Sequence, residues 1–271
     1  MGSISKKEIT EVKEQISSFY QKHKENICKT GMILCCTLIG TLIGLIICNK
    51  ITSCVVCEKA KITIDNHKSV QLWENGPYWA ETNIGAENPD DYGYYFWWGD
   101  TIGYKRENDK WVASDGSSSN FSFEESNAPT YGKSKSTLQS EDWTTSNDVL
   151  APEHDAARAH WGSNWRMPTA SELQALIDNC TWTSWTTTNG VNGCKVSGKG
   201  AYSGASIFLP IAGIGRGTSF DLAGLRGFSW SSSVLVSDDY SWNLRFGSGY
   251  RFMFYYDRDD GLPVRPVSEV H

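Results

Sequence analysis

The chain has 271 residues, with 25 Lys plus Arg against 31 Asp plus Glu, a net charge of −6 and 13 % aromatic residues. That length holds one large or two ordinary domains. The acidic balance argues against a nucleic-acid partner, which needs a basic face, and with six of the eight cysteines before residue 58 the remainder has too few for a disulfide-built scaffold.

Composition divides the chain. Residues 1–65 carry nine Lys and six acids (+3), whereas residues 66–271 carry sixteen Lys plus Arg and 25 acids (−9) and all twelve Trp. Ser5-Lys6-Lys7-Glu8 is a capping-box pattern, and Ile9, Val12, Ile16 and Phe19 repeat at helical spacing, so residues 1–30 are expected to form a short N-terminal helix. Gly31 to Cys48 is uncharged for eighteen residues; at about 1.5 Å per residue it spans roughly 27 Å, enough to cross a bilayer as a helix. Lysines flank it equally on both sides, so charge does not orient it. The expectation is a single-pass membrane protein with residues 1–30 in the cytosol and the Trp-rich portion outside. Gly40 and Gly44 give a small-residue face through which such helices can associate, hence a homo-oligomer. Residues 49–65 read as a linker; Cys54 and Cys57 have metal-like spacing, but no second pair or neighbouring His completes a zinc site.

The globular portion is expected at 66–271. Val70 to Trp73 and Tyr78 to Ala80 read as strands around an Asn75-Gly76-Pro77 turn. Residues 105–148, rich in Ser, Thr, Asn, Asp and Glu without a period, read as one long surface loop. Two helices follow, Pro152 to Trp161 and one opened by the capping box Thr169-Ala170-Ser171-Glu172, whose Leu173, Leu176 and Ile177 face one way. Short strands come next: Gly193 to Ser197, Ser206 to Pro210, Phe228 to Ser232, Trp242 to Phe246, Arg251 to Tyr255 and Leu262 to Val267. Helices first and antiparallel strands after predict an α+β domain.

From Gly200 to Ser268 there is no Lys, Glu, Gln, His or Cys. The charge is carried by Asp and Arg alone, among Tyr, Phe, Ser and Gly. Tyr and Arg give large contacts at low entropic cost, and Ser and Gly adapt, so this alphabet marks a recognition face. A β-rich core that merely lacks Lys and Glu is the plainer alternative.

A series of ordered motifs carries a family resemblance. They are Trp161-Gly162-Ser163-Asn164-Trp165-Arg166-Met167-Pro168-Thr169, Asn179-Cys180-Thr181-Trp182, Asn189-Gly190-Val191-Asn192-Gly193, Ile207-Phe208-Leu209-Pro210, Trp230-Ser231-Ser232-Ser233 and Gly261-Leu262-Pro263-Val264-Arg265-Pro266-Val267. Over residues 68–269 the chain resembles the Fibrobacter succinogenes major paralogous domain and the related domain family of unknown function 1566. The resemblance implies a C-type-lectin-like fold on cell-surface or secreted proteins, some of them variable proteins of diversity-generating retroelements. Adenine-specific mutagenesis there rewrites Asn-type codons into Phe, Tyr, Asp, Arg, Ser, Leu, Val or Gly, never into Lys, Glu, Gln, Met or Trp. On that reading 214–262 is a variable tract. Trp230, Trp242, Leu244, Phe246, Gly249, Met253, Arg258 and Gly261 form its fixed frame. The ligand-binding residues are Arg245, Tyr250, Phe252, Phe254, Tyr255, Tyr256, Asp257, Asp259, Asp260 and Leu262, with Asp238, Asp239 and Tyr240 on a neighbouring loop and Leu225, Arg226 and Phe228 ahead of them.

Other chemistry lacks its residues. Calcium-dependent lectins use Glu-Pro-Asn or Gln-Pro-Asp and Trp-Asn-Asp; here Trp242-Asn243 runs into Leu244 and neither tripeptide occurs. The acids around Asp257 miss the calcium-loop spacing, and His154 and His160, six apart, miss the i, i+4 metal spacing. The reading is therefore no enzyme, no cofactor and no metal. The leading expectation is a membrane-anchored protein binding a protein or glycan ligand; the alternative is a fixed-specificity structural or adhesive cell-surface protein.

Overall fold

The computed structural model describes residues 60–117, 121–183 and 185–269. The expected N-terminal helix, the membrane span at 31–48 and the Cys54–Cys57 pair lie outside them. Among the described residues no helix is long and apolar enough to cross a membrane.

The expectation of an α+β, C-type-lectin-like domain with two helices is corrected here. Among the described residues strands hold 39 % and helices 14 %, in many antiparallel sheets with three α-helices. Much of the error lies in the stretch read as one loop. It holds all but the first residue of β5 (Tyr104–Glu107), together with β6 (Lys110–Ala113) and α1 (Lys135–Ser140). Six consecutive polar residues, Lys105 to Lys110, hide the strand alternation. Glu107 and Lys110 face each other across a two-residue turn, Asn108-Asp109, with φ of 48° and 60°, the left-handed pair that a tight hairpin demands. Likewise β1 (Lys61–Ile64), inside the expected linker, turns at Asp65-Asn66 into β2 (His67–Gln71).

The remaining elements run in order: β3 (Tyr78–Ala80), β4 (Tyr95–Phe96), α2 (Ala156–Trp161), α3 (Ala170–Asn179), β7 (Thr181–Trp182), β8 (Thr186–Thr188), β9 (Val191–Ser197), β10 (Ser206–Pro210), β11 (Ile214–Arg216), β12 (Ser219–Asp221), β13 (Gly227–Val234), β14 (Tyr240–Gly247), β15 (Tyr250–Asp257), β16 (Leu262–Pro263) and β17 (Val267–Ser268). The sheets are ordered β1-β2-β3-β17, β10-β9-β7 with β8 on β9, β11-β12, β13-β14-β15 and β16-β4-β5-β6. Thr169 caps α3: its hydroxyl accepts from the Glu172 N–H, and the Glu172 carboxylate accepts from the Thr169 N–H. Cys180 and Cys194 are buried thiols, not a disulfide.

Two apolar clusters sandwich β13-β14-β15. Leu244, Phe246 and Met253 join Leu173 and Leu176 of α3 on one side. Phe228, Trp230 and Tyr256 join Trp98, Leu138, Leu150 and Leu262 on the other.

The His67 ring stacks on Trp161 with centroids 3.7 Å apart. Burial lowers its pKa, against the opposing pull of Asp65. A folded-state pKa below the ordinary value means the unfolded chain takes up the proton first, so this stability is present above about pH 6.5 and lost as pH falls below it. His67→Phe is therefore expected to flatten the drop in urea midpoint between pH 7.5 and pH 5.

Candidate recognition face

Residues paired across an antiparallel ladder share a face. The register puts Trp230 opposite Asn243, Asn243 opposite Phe254, Phe228 opposite Arg245 and Arg245 opposite Phe252. Leu244 and Met253 are opposed on the other, inward face. Period-2 alternation thus sorts the tract: one set packs on α3, and the other points away from it.

The outward set is graded in exposure. Trp230 and Asn243 are fully covered, whereas Phe252 is 40 % exposed. Tyr250–Phe252 and Phe252–Phe254 ring centroids are each 5.8 Å apart. Phe254 stacks on Tyr255 at 4.7 Å, and Tyr255 meets Tyr240 edge-on at 5.4 Å. By register Tyr240 and Tyr255 have the parity of Leu244 and Met253, so the result is an aromatic band that runs along β15 and wraps round its free edge. Such a band on a protein surface is characteristic of an interaction site. Leu225 and Val236, exposed by 64 % and 82 %, lie on the loops at either end of β13.

Charge is split along the length of the sheet. Arg245, Arg251 and Arg226 stand near the β14–β15 turn and the start of β13, while Asp238, Asp239, Asp257 and Asp259 stand at the other end. Burial raises the Asp257 and Asp260 carboxyls, with Arg216 opposing, and Asp259 is pushed up to about 6 by burial and then by Asp260 and Asp257. Asp260 is fastened by Arg216 through two bonds of 2.9 and 2.7 Å, and the Arg216 guanidinium also covers the Tyr256 ring.

Of the sixteen residues expected to bind ligand, Phe228, Asp260 and Leu262 are buried, at 2 %, 2 % and 0 % exposure. They belong to the support. Phe228 and Leu262 lie in the core beside Trp230, and Asp260 is the counter-ion of Arg216. The other thirteen, Leu225, Arg226, Asp238, Asp239, Tyr240, Arg245, Tyr250, Phe252, Phe254, Tyr255, Tyr256, Asp257 and Asp259, all keep solvent exposure.

The support is held by two buried arginines without a carboxylate partner. Arg258 donates to Ser241 Oγ and to the carbonyls of Thr130, Lys133, Ser237, Asp238 and Tyr240, and lies over the Trp98 ring at 4.9 Å. Arg265 donates to Asn83 Oδ1 and to the Ala80, Glu81 and Phe208 carbonyls. Burial pushes the two guanidiniums down to about 10 and about 9, still protonated at neutral pH.

Sequence reasoning missed Asn243. It is fully buried, and neither its side-chain N nor its O has a partner among the described residues. Its signal was positional: an Asn in mid-strand, where it is disfavoured, two residues before Arg245 on the same face. Among the described residues no three His, Cys, Asp or Glu come together as a metal-binding group. No family model, curated protein or solved structure matches this chain.

Proposed function

We propose that this chain is a ligand-recognition protein that binds a protein or glycan target through the outward face of β13-β14-β15 and the free edge of β15. The observation that carries the reading is the division of the tract. Thirteen of sixteen expected contact residues keep solvent exposure, while Leu244, Phe246, Arg258 and Gly261 of the expected frame are buried. An aromatic and Arg/Asp surface on a hydrogen-bonded support supplies large, low-entropy contacts on a fixed scaffold. The uncharged run 31–48 is the segment that would anchor this face outside the cytoplasm. The proposal extends to retroelement-directed rewriting of the exposed positions, which the restricted alphabet of 200–268 supports.

The test compares the full-length chain with a variant carrying Ala at Tyr250, Phe252 and Tyr255, on arrayed glycans and on intact cell surfaces. The expected result is a signal on one class of target that the variant loses, with its urea unfolding still cooperative and its midpoint little changed. Equal signals from both proteins would move the contact elsewhere, and a variant that no longer folds would make these rings part of the core.

A further inference from the structure

We propose that Arg245, with Asn243 beneath it, forms a carboxylate-binding site at the basic end of this face; the inference rests on reading the face as a recognition surface. The Arg245 guanidinium carbon lies 5.4, 5.8 and 5.9 Å from the ring centres of Phe254, Phe252 and Phe228. Among the described residues it is in none of the salt bridges, and its Nε is buried without a hydrogen-bond partner. Arg216 on the same face has Asp260, and Arg258 has its ring of acceptors. Arg245 has three faces of phenylalanine.

A guanidinium in apolar surroundings interacts strongly with an anion, because little water competes for it, and its planar fork matches a carboxylate. The neighbouring acids stand too far along the sheet to serve. Asp257 pairs with Tyr240, five residues before Arg245 on β14, which is roughly 17 Å away. Asn243 supplies a second donor. Strand alternation puts it on the same side as Arg245, and Phe254, on the edge strand β15, lies directly across the ladder from it. A buried amide with no partner among the described residues costs stability, so a ligand group that satisfies it is favoured. Arg226 and Arg251, both exposed, add positive potential at this end and steer an acidic ligand toward it. The flanking rings suit a ligand whose carboxylate stands on an apolar or sugar body.

The carboxylate can come from an acidic glycan or from an acidic peptide, and the probes separate them. The full-length chain is titrated with benzoate and with its neutral isostere benzamide, following the Nε–H resonance of Arg245. It is then exposed to sialylated against desialylated oligosaccharides, and to peptides with a free against an amidated C-terminal carboxyl. Benzoate is expected to shift the resonance and benzamide to leave it in place. One acidic probe class is expected to bind roughly tenfold or more tightly than its neutral counterpart, with Arg245→Gln removing that preference. Asn243→Leu is expected to raise the urea midpoint while weakening benzoate binding severalfold, a combination that a purely structural asparagine would not give. Equal responses to benzoate and benzamide, or a carboxylate preference that survives Arg245→Gln, would overturn the proposal. Retained binding of a neutral target that is still lost with the Tyr250, Phe252 and Tyr255 alanines would sink only the carboxylate site and leave the recognition face standing.

Discussion

Arg258→Met is expected to cost about 3–5 kcal/mol of unfolding free energy, the scale set by removing one member of a buried charged network. The side chain is 0 % exposed, and its five donors serve six acceptors. Those acceptors come from three places: the Thr130–Lys133 turn, the loop at Ser237 and Asp238, and the first residues of β14. Methionine fills the volume but leaves the carbonyls bare in a place water does not reach, and each bare group costs on the order of 1–3 kcal/mol unless the backbone relaxes. Arg258→Lys keeps the charge with three donors on a point-like head, so it is expected to recover less than half of the loss. Urea unfolding of the full-length chain reads both. A methionine variant as stable as the parent would mean that the six bonds add nothing beyond packing.

Trp230→Ala is expected to be the second large loss, about 4 kcal/mol, in the range for truncating a fully buried large aromatic. Trp230 and Trp98 cross-link two sheets reciprocally. The Trp230 indole donates to the Phe96 carbonyl at 2.9 Å, and the Trp98 indole donates to the Ser231 carbonyl at 2.8 Å. Alanine leaves a cavity under Phe228 and Leu262 and strips the Phe96 carbonyl of its donor. Trp230→Phe restores most of the volume but not the N–H, so it should cost about 1–3 kcal/mol, the price of one unmade buried hydrogen bond. The ordering Ala, then Phe, then wild type in urea midpoint checks the account. Equal losses for Ala and Phe would assign the whole effect to the hydrogen bond.

How much of this was legible in the chain depended on local pattern. The capping box at Thr169 and Glu172 needs only four residues to be read, and it is present with both bonds. Strand β10 runs over Ser206–Pro210 as read, since its apolar run is bounded by Gly and Pro. The overall class was misread because β5 and β6 carry their apolar residues sparsely, with Trp111 buried beside exposed Lys110 and Glu107. Without visible alternation, a hairpin and a loop look alike. In the candidate site, composition marked the tract, and the family resemblance set Arg245 at the ligand and Arg258 in the frame without giving a physical reason. One is half-exposed among phenylalanines and the other is sealed among carbonyls, a difference set by loops more than a hundred residues away in sequence. Phe228 and Leu262 were expected at the ligand because their letters fit the alphabet; Phe228 shares the face of Arg245 but is covered by the cluster around Trp230 and Tyr256, and Leu262 of β16 is buried in that same cluster.

The most direct test of the central claim is the residue-by-residue pattern of substitution in this gene across many independent isolates of its host. The account predicts changes concentrated at Arg245, Tyr250, Phe252, Phe254, Tyr255 and Asp257, arising at adenines, with Trp230, Leu244, Met253, Arg258 and Arg265 unchanged. Substitutions spread evenly over buried and exposed positions of 214–262, or richer at the buried ones, would contradict it.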